Sequence, residues 1–556
     1  MAIDRTKLRW NGWGWSGQAE DFSGRADVWA WLASELGMPS LLATPARSLD
    51  DVQLPPSRLA PADRHILARL LGAEALRDDK LQRASHARGR GYQDLLRLRA
   101  GDLADAPDAV IYPRSNRDVL TLLAFASERS IATVPYGGGT SVVGGITPRR
   151  FAHNGVLTVD LSEMDRVESI DPESGTASAQ AGIFGPALEQ TLAVRGFTLG
   201  HFPQSFEFST LGGWIAHRGA GQLSNRYGRP ENWLVAAEIA TPRGILRDRD
   251  FPASATGPPL KDIAIGSEGV FGIITRATVR LHRAPELTTG RAYLFRDFAS
   301  GVAAVRDGVQ SGVGAAMLRL SDIEETRFQR ALSRLGGDAS ILHQASAAIL
   351  SAWRYGRPCL LLAEFEGPRA SVQSSKRAFG GIARHHGALP LGSAPVRRWQ
   401  KSRFGGPYLR DPMLDRGLGV DTLETATSWS NLHTLYKAVR TALERAIAAT
   451  VPRPLARGIV MCHISHSYAY GASLYFTYIF PRMLGDEMGQ WQSIKRAASE
   501  AIVATGGTIS HYHGVGEDHL PWVLKEKGDL GLEVMRAIKR TLDPKGILNP
   551  GKLIPP

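Results

Sequence analysis

The chain has 556 residues, 43% of them apolar, which exceeds what one compact core accommodates and predicts two or three domains. Its net charge of +12 comes mainly from scattered arginines with no run of five or six basic residues, which argues against a nucleic-acid partner. Only Cys359 and Cys462 occur, far apart and without a C-x-x-C, so a disulfide framework or a cysteine zinc site is not expected and a reducing compartment is favoured. The start, MAIDRTKLRWNGWGW, lacks an apolar signal core, and no apolar stretch is long enough to span a bilayer. A cytoplasmic protein, peripheral at a membrane if it touches one, is the expectation.

Residues 27–99 read as mostly helical, with Leu67, Leu70, Leu71 and Ala75 at helical spacing, interrupted by a proline-rich connector at 39–61. Ser115-x-x-Asp118 is a helix-start signal ahead of Val119, Leu123 and Ala126. A strand-like run at 131–134 follows, then a glycine cluster, then a second strand at 156–161. Strand–helix alternation continues to about Arg283, and from Pro285 long helices interleave with strands such as 359–365 and 472–480. A helix carrying Leu530, Val534, Ile538 and Leu542 leads into a Pro/Gly-rich tail. The expected division is a mostly helical region at 1–104, a compact α/β unit at 105–284, a second domain at 285–510 and a C-terminal segment at 511–556.

The glycine cluster, YGGGTSVVGGIT at 136–147, says most about function. Five glycines in so few positions suit neither strand nor helix, so this is a tight loop whose backbone N–H groups can approach an anion, with Thr140 and Ser141 adding hydroxyls. It is not a P-loop, because no G-K-[ST] follows Gly139. The template G-x-G-x-x-G also fails, at Val142. A plain surface turn is the alternative. Three further segments add small or hydroxyl residues: PQSFEFSTLGG at 203–213, GQLSNRYG at 221–228 and GSEGVFG at 266–272. In this order and spacing the four segments resemble the FAD domain of the p-cresol methylhydroxylase/vanillyl-alcohol oxidase class.

That resemblance implies an α+β fold: a two-subdomain FAD-binding domain of the vanillyl-alcohol oxidase type plus an α/β cap domain with an antiparallel sheet. It places Pro135, Tyr136, Gly137, Gly138, Gly139, Thr140 and Ser141 against FAD. A second group against the cofactor is Gln204, Ser205, Phe206, Glu207, Phe208, Ser209 and Thr210. His217, Arg218, Gly219 and Ala220 form a third, and Glu268, Gly269, Val270, Phe271, Gly272, Ile273 and Ile274 a fourth. No histidine or cysteine lies in the first loop, so non-covalent FAD is expected.

LRWNGWGW at 8–15, HFPQSFEFSTLGGW at 201–214 and SHYHGVG at 510–516 resemble the alkylglycerone-phosphate synthase family. So do LRLSD at 318, YLRDPMLDRG at 408, DTLETATSW at 421 and GASLYFTYIF at 471. The resemblance spans nearly the whole chain. It implies exchange of the acyl group of acyl-dihydroxyacetone phosphate for a fatty alcohol, in ether-lipid synthesis, with no net redox change. It further implies Tyr475, His511, His513, Arg319 and Arg410 as catalytic residues. A homodimer in peripheral contact with a membrane is the expected assembly.

Such an exchange needs a base, donors for carboxylate and phosphate, and an apolar path for long chains. His511 and His513 straddle Tyr512, which stands where the family has a third histidine, and share a face if the segment is extended. The same imidazoles, with His463 and His466, also suit a metal, although no metal is expected. Without the resemblance Tyr475 reads as core, and Arg319 and Arg410 as salt-bridge partners. Trp10, Trp13 and Trp15 read as packing anchors or as residues seated at a lipid surface. The rival activity is that of an FAD-dependent D-2-hydroxyacid dehydrogenase or oxidase, whose C-terminal motif has a glutamate where Tyr512 precedes His513-Gly514.

Overall fold

A computed structural model describes residues 3–17, 25–335 and 355–555. The helix Asn116–Arg129 begins where the sequence signals it, with the Ser115 hydroxyl accepting from the Asp118 N–H at 3.2 Å. It ends at Ser130 in the left-handed region, φ 54°. Its apolar stripe, Val119, Leu122, Leu123 and Ala126, is fully buried. The helix delivers the chain into the strand Ile131–Tyr136, which runs parallel to Gly155–Asp160; that strand in turn runs parallel to Ala109–Ile111. With Leu76–Arg77 at the edge, these make a four-stranded sheet, and the glycine loop leaves its C-terminal end.

A second, antiparallel sheet orders Val167–Asp171, Thr176–Gln180, Ile273–Arg280, Leu234–Thr241 and Gly244–Arg247. Alternating residues of both sheets bury into one shared core that includes Ile111, Leu157, Ala179, Ile239 and Ala277. These are the two subdomains that the resemblance leads one to expect.

The cap is an eight-stranded antiparallel sheet. Its order runs Leu389–Gly392, Leu287–Phe295, Cys359–Gly367, Met317–Ser321, Ile459–Ile464, Gly471–Pro481 and Leu418–Ser428, with Ser467–Tyr468 paired to Gly471–Pro481. Helices Phe298–Gln310, Arg369–His385, Leu432–Thr450 and Glu487–Ala504 cover one face, and their apolar stripes form the cap core. The other face looks toward the glycine loop. Period-2 alternation therefore divides each strand's side chains between core and site.

The N-terminal region does not pack as one body. Ala26–Glu35 buries Trp29 and Leu32 against Leu418, Ile459 and Ile479 of the cap, whereas Leu67 of Pro61–Leu71 joins the flavin-domain core. Near the other end, Leu548 bridges to Thr133, returning the chain to the first sheet. Cys359 and Cys462 are buried free thiols. No helix among the described residues is long and apolar enough to cross a membrane.

Candidate active site between the flavin loops and the cap sheet

The glycine loop and the 203–210 loop are locked face to face. A Cβ at Gly138 would run into the Phe208 carbonyl, and one at Gly137 into the Thr210 hydroxyl, so only glycine permits this approach. Gly139 adopts φ +75°. Thr210 caps the short helix Leu211–Ala216 by accepting from the Gly213 N–H. Among the described residues, the amides of Gly138, Gly139, Thr140 and Ser141 donate to no protein acceptor, and these four residues line a cavity of about 470 Å³. Unpaired N–H groups and hydroxyls on a wall that cannot carry side chains fit a pyrophosphate. FAD therefore fits these residues.

The loop rests on a buried ion pair. The Arg5 guanidinium donates to the Gly137 carbonyl and lies 2.8 Å from Asp160, which His86 also meets at 2.9 Å. Despite burial, which pushes it up, Asp160 is held well below the ordinary carboxylate range by Arg5 and His86.

Opposite the loop, the cap sheet presents its side chains in rows set by strand register. Tyr475 pairs with Glu424 on one side and His463 on the other, making a polar row. Two residues along, Thr477 pairs with Thr422 and Met461. Two further along, Ile479 pairs with Val420 and Ile459, an apolar row. The step from Tyr475 to Ile479 is roughly 13 Å at strand rise. Phe328, Leu332, Leu409 and Met413 complete the apolar end of the same cavity. The His463 ring stacks on Tyr475 at 4.9 Å, and His513 meets Tyr475 edge-on at 5.7 Å.

The two expected arginines differ. Arg319 donates to Glu325 at 2.6 Å and to His463 Nδ1 at 3.1 Å, so a carboxylate already answers its charge. Arg410 donates to the Arg90 carbonyl at 2.6 Å and, among the described residues, pairs with no carboxylate. Its charge remains available to an anion in the cavity.

The segment 511–513 bends rather than extending, and so separates the two histidines. Tyr512 and His513 line the cavity, while His511 turns away to Arg229, Tyr468 and Glu424. Glu424, His466 and His511 bring their ligand atoms within 4.8 Å of one another, a spacing that suits a metal. Arg229 speaks against one. A guanidinium only donates, so its 3.0 Å contact makes His511 Nε2 an acceptor and leaves the proton on Nδ1, facing Glu424 at 3.3 Å. The tautomer closes Nδ1 to a cation. Burial pushes Glu424 up to about 7 and His466 down to about 3.

Of the residues expected at the cofactor, Gly137, Gly138, Gly139, Thr140, Ser141, Gln204, Ser205, Ser209, Thr210, His217, Gly219 and Ala220 line the cavity. The others are not among its lining residues. Pro135 packs on Gly269, Tyr136 on His86, and Phe206 and Phe208 are buried. Arg218 faces Glu231. Glu268 accepts from the Val515 and Gly516 amides at 2.6 and 2.7 Å, while Val270, Phe271, Ile273 and Ile274 fill core. Arg5, Asp160 and Arg229 were not singled out in the sequence, because nothing local marks a partner 155 or 282 residues away, and Glu325 was not because its pairing with Arg319, six residues back, crosses from strand to helix.

The chain matches two family models, the FAD binding domain over residues 107–249 and the C-terminal domain of FAD linked oxidases over 285–553. The p-cresol methylhydroxylase structure superimposes with a TM-score of 0.68 at 14% identity, covering 90% of this chain and 98% of that one, a likeness of fold. This is a flavoprotein of the vanillyl-alcohol oxidase/p-cresol methylhydroxylase class, and its cofactor is non-covalent FAD. A solved alkyldihydroxyacetonephosphate synthase superimposes with a TM-score of 0.84 at 32% identity, covering 99% of this chain and all of that one. The Dictyostelium discoideum alkyldihydroxyacetonephosphate synthase is 35% identical over 94% of this chain and 86% of its own. The chain belongs to the alkyldihydroxyacetonephosphate synthase family.

Proposed function

We propose that the protein exchanges the acyl group of acyl-dihydroxyacetone phosphate for a fatty alcohol, releasing a fatty acid and forming the alkyl ether. The observation that carries this reading is the graded cavity. One wall is the glycine cradle, the adjoining sheet face is polar at Tyr475 and His463, and the far end is apolar at Val420, Ile479 and Phe328. A phosphorylated headgroup and a long chain need those two environments side by side.

Bound FAD supplies a nucleophilic ring position for the exchange and ends the cycle in its starting redox state. The protein's own residues do the rest. Arg410 holds the phosphate or the departing carboxylate by charge-assisted hydrogen bonds. Burial pushes the His513 imidazolium down and the Tyr475 phenol up, so the pair stands as a neutral base beside a protonated phenol. His513 takes the proton next to the substrate carbonyl while Tyr475 donates to the oxygen that gains charge. The apolar rows exclude water from the chain.

Palmitoyl-dihydroxyacetone phosphate and hexadecanol, supplied without an electron acceptor, should yield palmitate and the hexadecyl ether in equal amounts by mass spectrometry. Absence of the ether, together with rapid flavin bleaching by D-lactate or D-2-hydroxyglutarate, would replace this reading with a hydroxyacid dehydrogenase. A homodimer resting on a membrane surface, its positive charge facing anionic lipid, is the assembly that suits such substrates.

A further inference from the structure

Glu325 stands at the seam between the polar and apolar ends of the cavity. It lies on the helix Ile323–Leu335, and Phe328, Gln329 and Leu332 of the same helix also line the cavity. The spacing i, i+3, i+4, i+7 puts the carboxylate at the head of a stripe that turns apolar down one face. The Glu325 carboxylate is about nine-tenths buried. Its Oε1 accepts from Arg319 at 2.6 Å and Gln329 at 3.3 Å, but Oε2 has no hydrogen-bond partner. A buried carboxylate oxygen left unpaired is costly, which suits an atom kept for a proton.

We propose that Glu325 Oε2 is the base that accepts the hydroxyl proton of the incoming fatty alcohol. This rests on the exchange reading above. The alcohol's chain runs along Phe328 and Leu332, which brings its hydroxyl to the head of the stripe. Across the exchange the substrate's carbon–acyloxy bond breaks, its electron pair leaving with the fatty carboxylate, and the alcohol oxygen takes its place on that carbon while the alcohol's proton passes to Oε2. The proton then has an onward path. Arg319 makes His463 Nδ1 an acceptor, and that nitrogen lies 3.1 Å from Oε2. No electrons are exchanged. The Arg319 guanidinium outweighs burial and holds Glu325 ionised.

The test compares wild type with Glu325→Gln in the FAD-loaded protein, using two readouts. Palmitate released from palmitoyl-dihydroxyacetone phosphate in a single turnover without alcohol reports the acyl half. Ether formed on adding hexadecanol reports the alcohol half. The variant should keep its FAD and its palmitate release while ether formation falls about a hundredfold. The more acidic 2,2-difluorohexadecanol should restore much of that loss, a response that a merely structural residue would not give. Wild-type ether formation in the variant would overturn the assignment. Equal loss of both halves, or no gain from the acidic alcohol, would overturn it too. If wild type itself releases no palmitate and forms no ether, the exchange reading fails, and the proposal falls with it.

Discussion

Tyr475 and His513 touch through their rings, so each alters the other's environment, and both are assigned to the substrate rather than to the cofactor. Tyr475→Phe and His513→Ala should each lower turnover by roughly a hundredfold, with bound FAD unchanged by absorbance. Glu424 makes a different kind of prediction. Burial holds it neutral up to about pH 7, whereas in the unfolded chain it ionises near 4.3. Between those values the folded state binds the extra proton, so the stability it contributes is full below about 4.3 and drains away as pH rises. Glu424→Gln removes that loss. The melting temperature of the variant relative to wild type should climb from about pH 4.3 to about 7 and then level off. A flat difference would mean that Glu424 is ionised in the fold.

The elements were legible in proportion to how local their causes are. The strands expected at 131–134, 156–161, 359–365 and 472–480 occur as Ile131–Tyr136, Gly155–Asp160, Cys359–Gly367 and Gly471–Pro481. Each is a continuous or alternating apolar run bounded by turn residues. The helical reading of 27–99 was coarser, because that stretch divides between two cores. The helix Leu520–Leu542 begins ten residues earlier than Leu530 and breaks at Gly528, φ 68°. Ser115 was readable, and Ser115→Ala should cost about 1 kcal/mol in urea unfolding. The glycine loop was readable as an anion cradle, but its closeness to Phe208 was not, since that contact joins two loops. Gly138→Ala should drive those loops apart and sharply reduce FAD retention after gel filtration. Retained flavin would show that the loops can part without losing their grip.

At the scale of the molecule, the site is assembled by contacts no sequence window contains. Arg9 and the Trp13 amide reach Asp411, the neighbour of Arg410, while Arg5 holds the Gly137 carbonyl. Residues 5–13 thus clasp the glycine loop to the arm of the cap that carries the cavity-lining Arg410. Trp13 and Trp15 pack edge-on against Phe208, which supports the packing reading of those tryptophans. The purified protein should be yellow and should release its FAD into the supernatant on acid precipitation. Colour that stays with the precipitate would contradict a dissociable flavin.

The return of Leu548 to Thr133 has a consequence for the order of assembly. Asn549, at φ 38°, donates from its side chain to the Gly145 and Glu268 carbonyls at 2.9 and 2.6 Å, knitting the glycine loop to the 266–272 turn. A growing chain therefore carries an open cradle through the synthesis of some four hundred residues, the separation across which Asn549 bonds Gly145. At roughly 5–20 residues per second that wait is tens of seconds. Such distant closure is also slow to find. Flavin capture should then be a late event in folding, lagging the recovery of helical signal when denatured protein is diluted with FAD. A chain ending at residue 545 should fold much of its secondary structure and remain colourless.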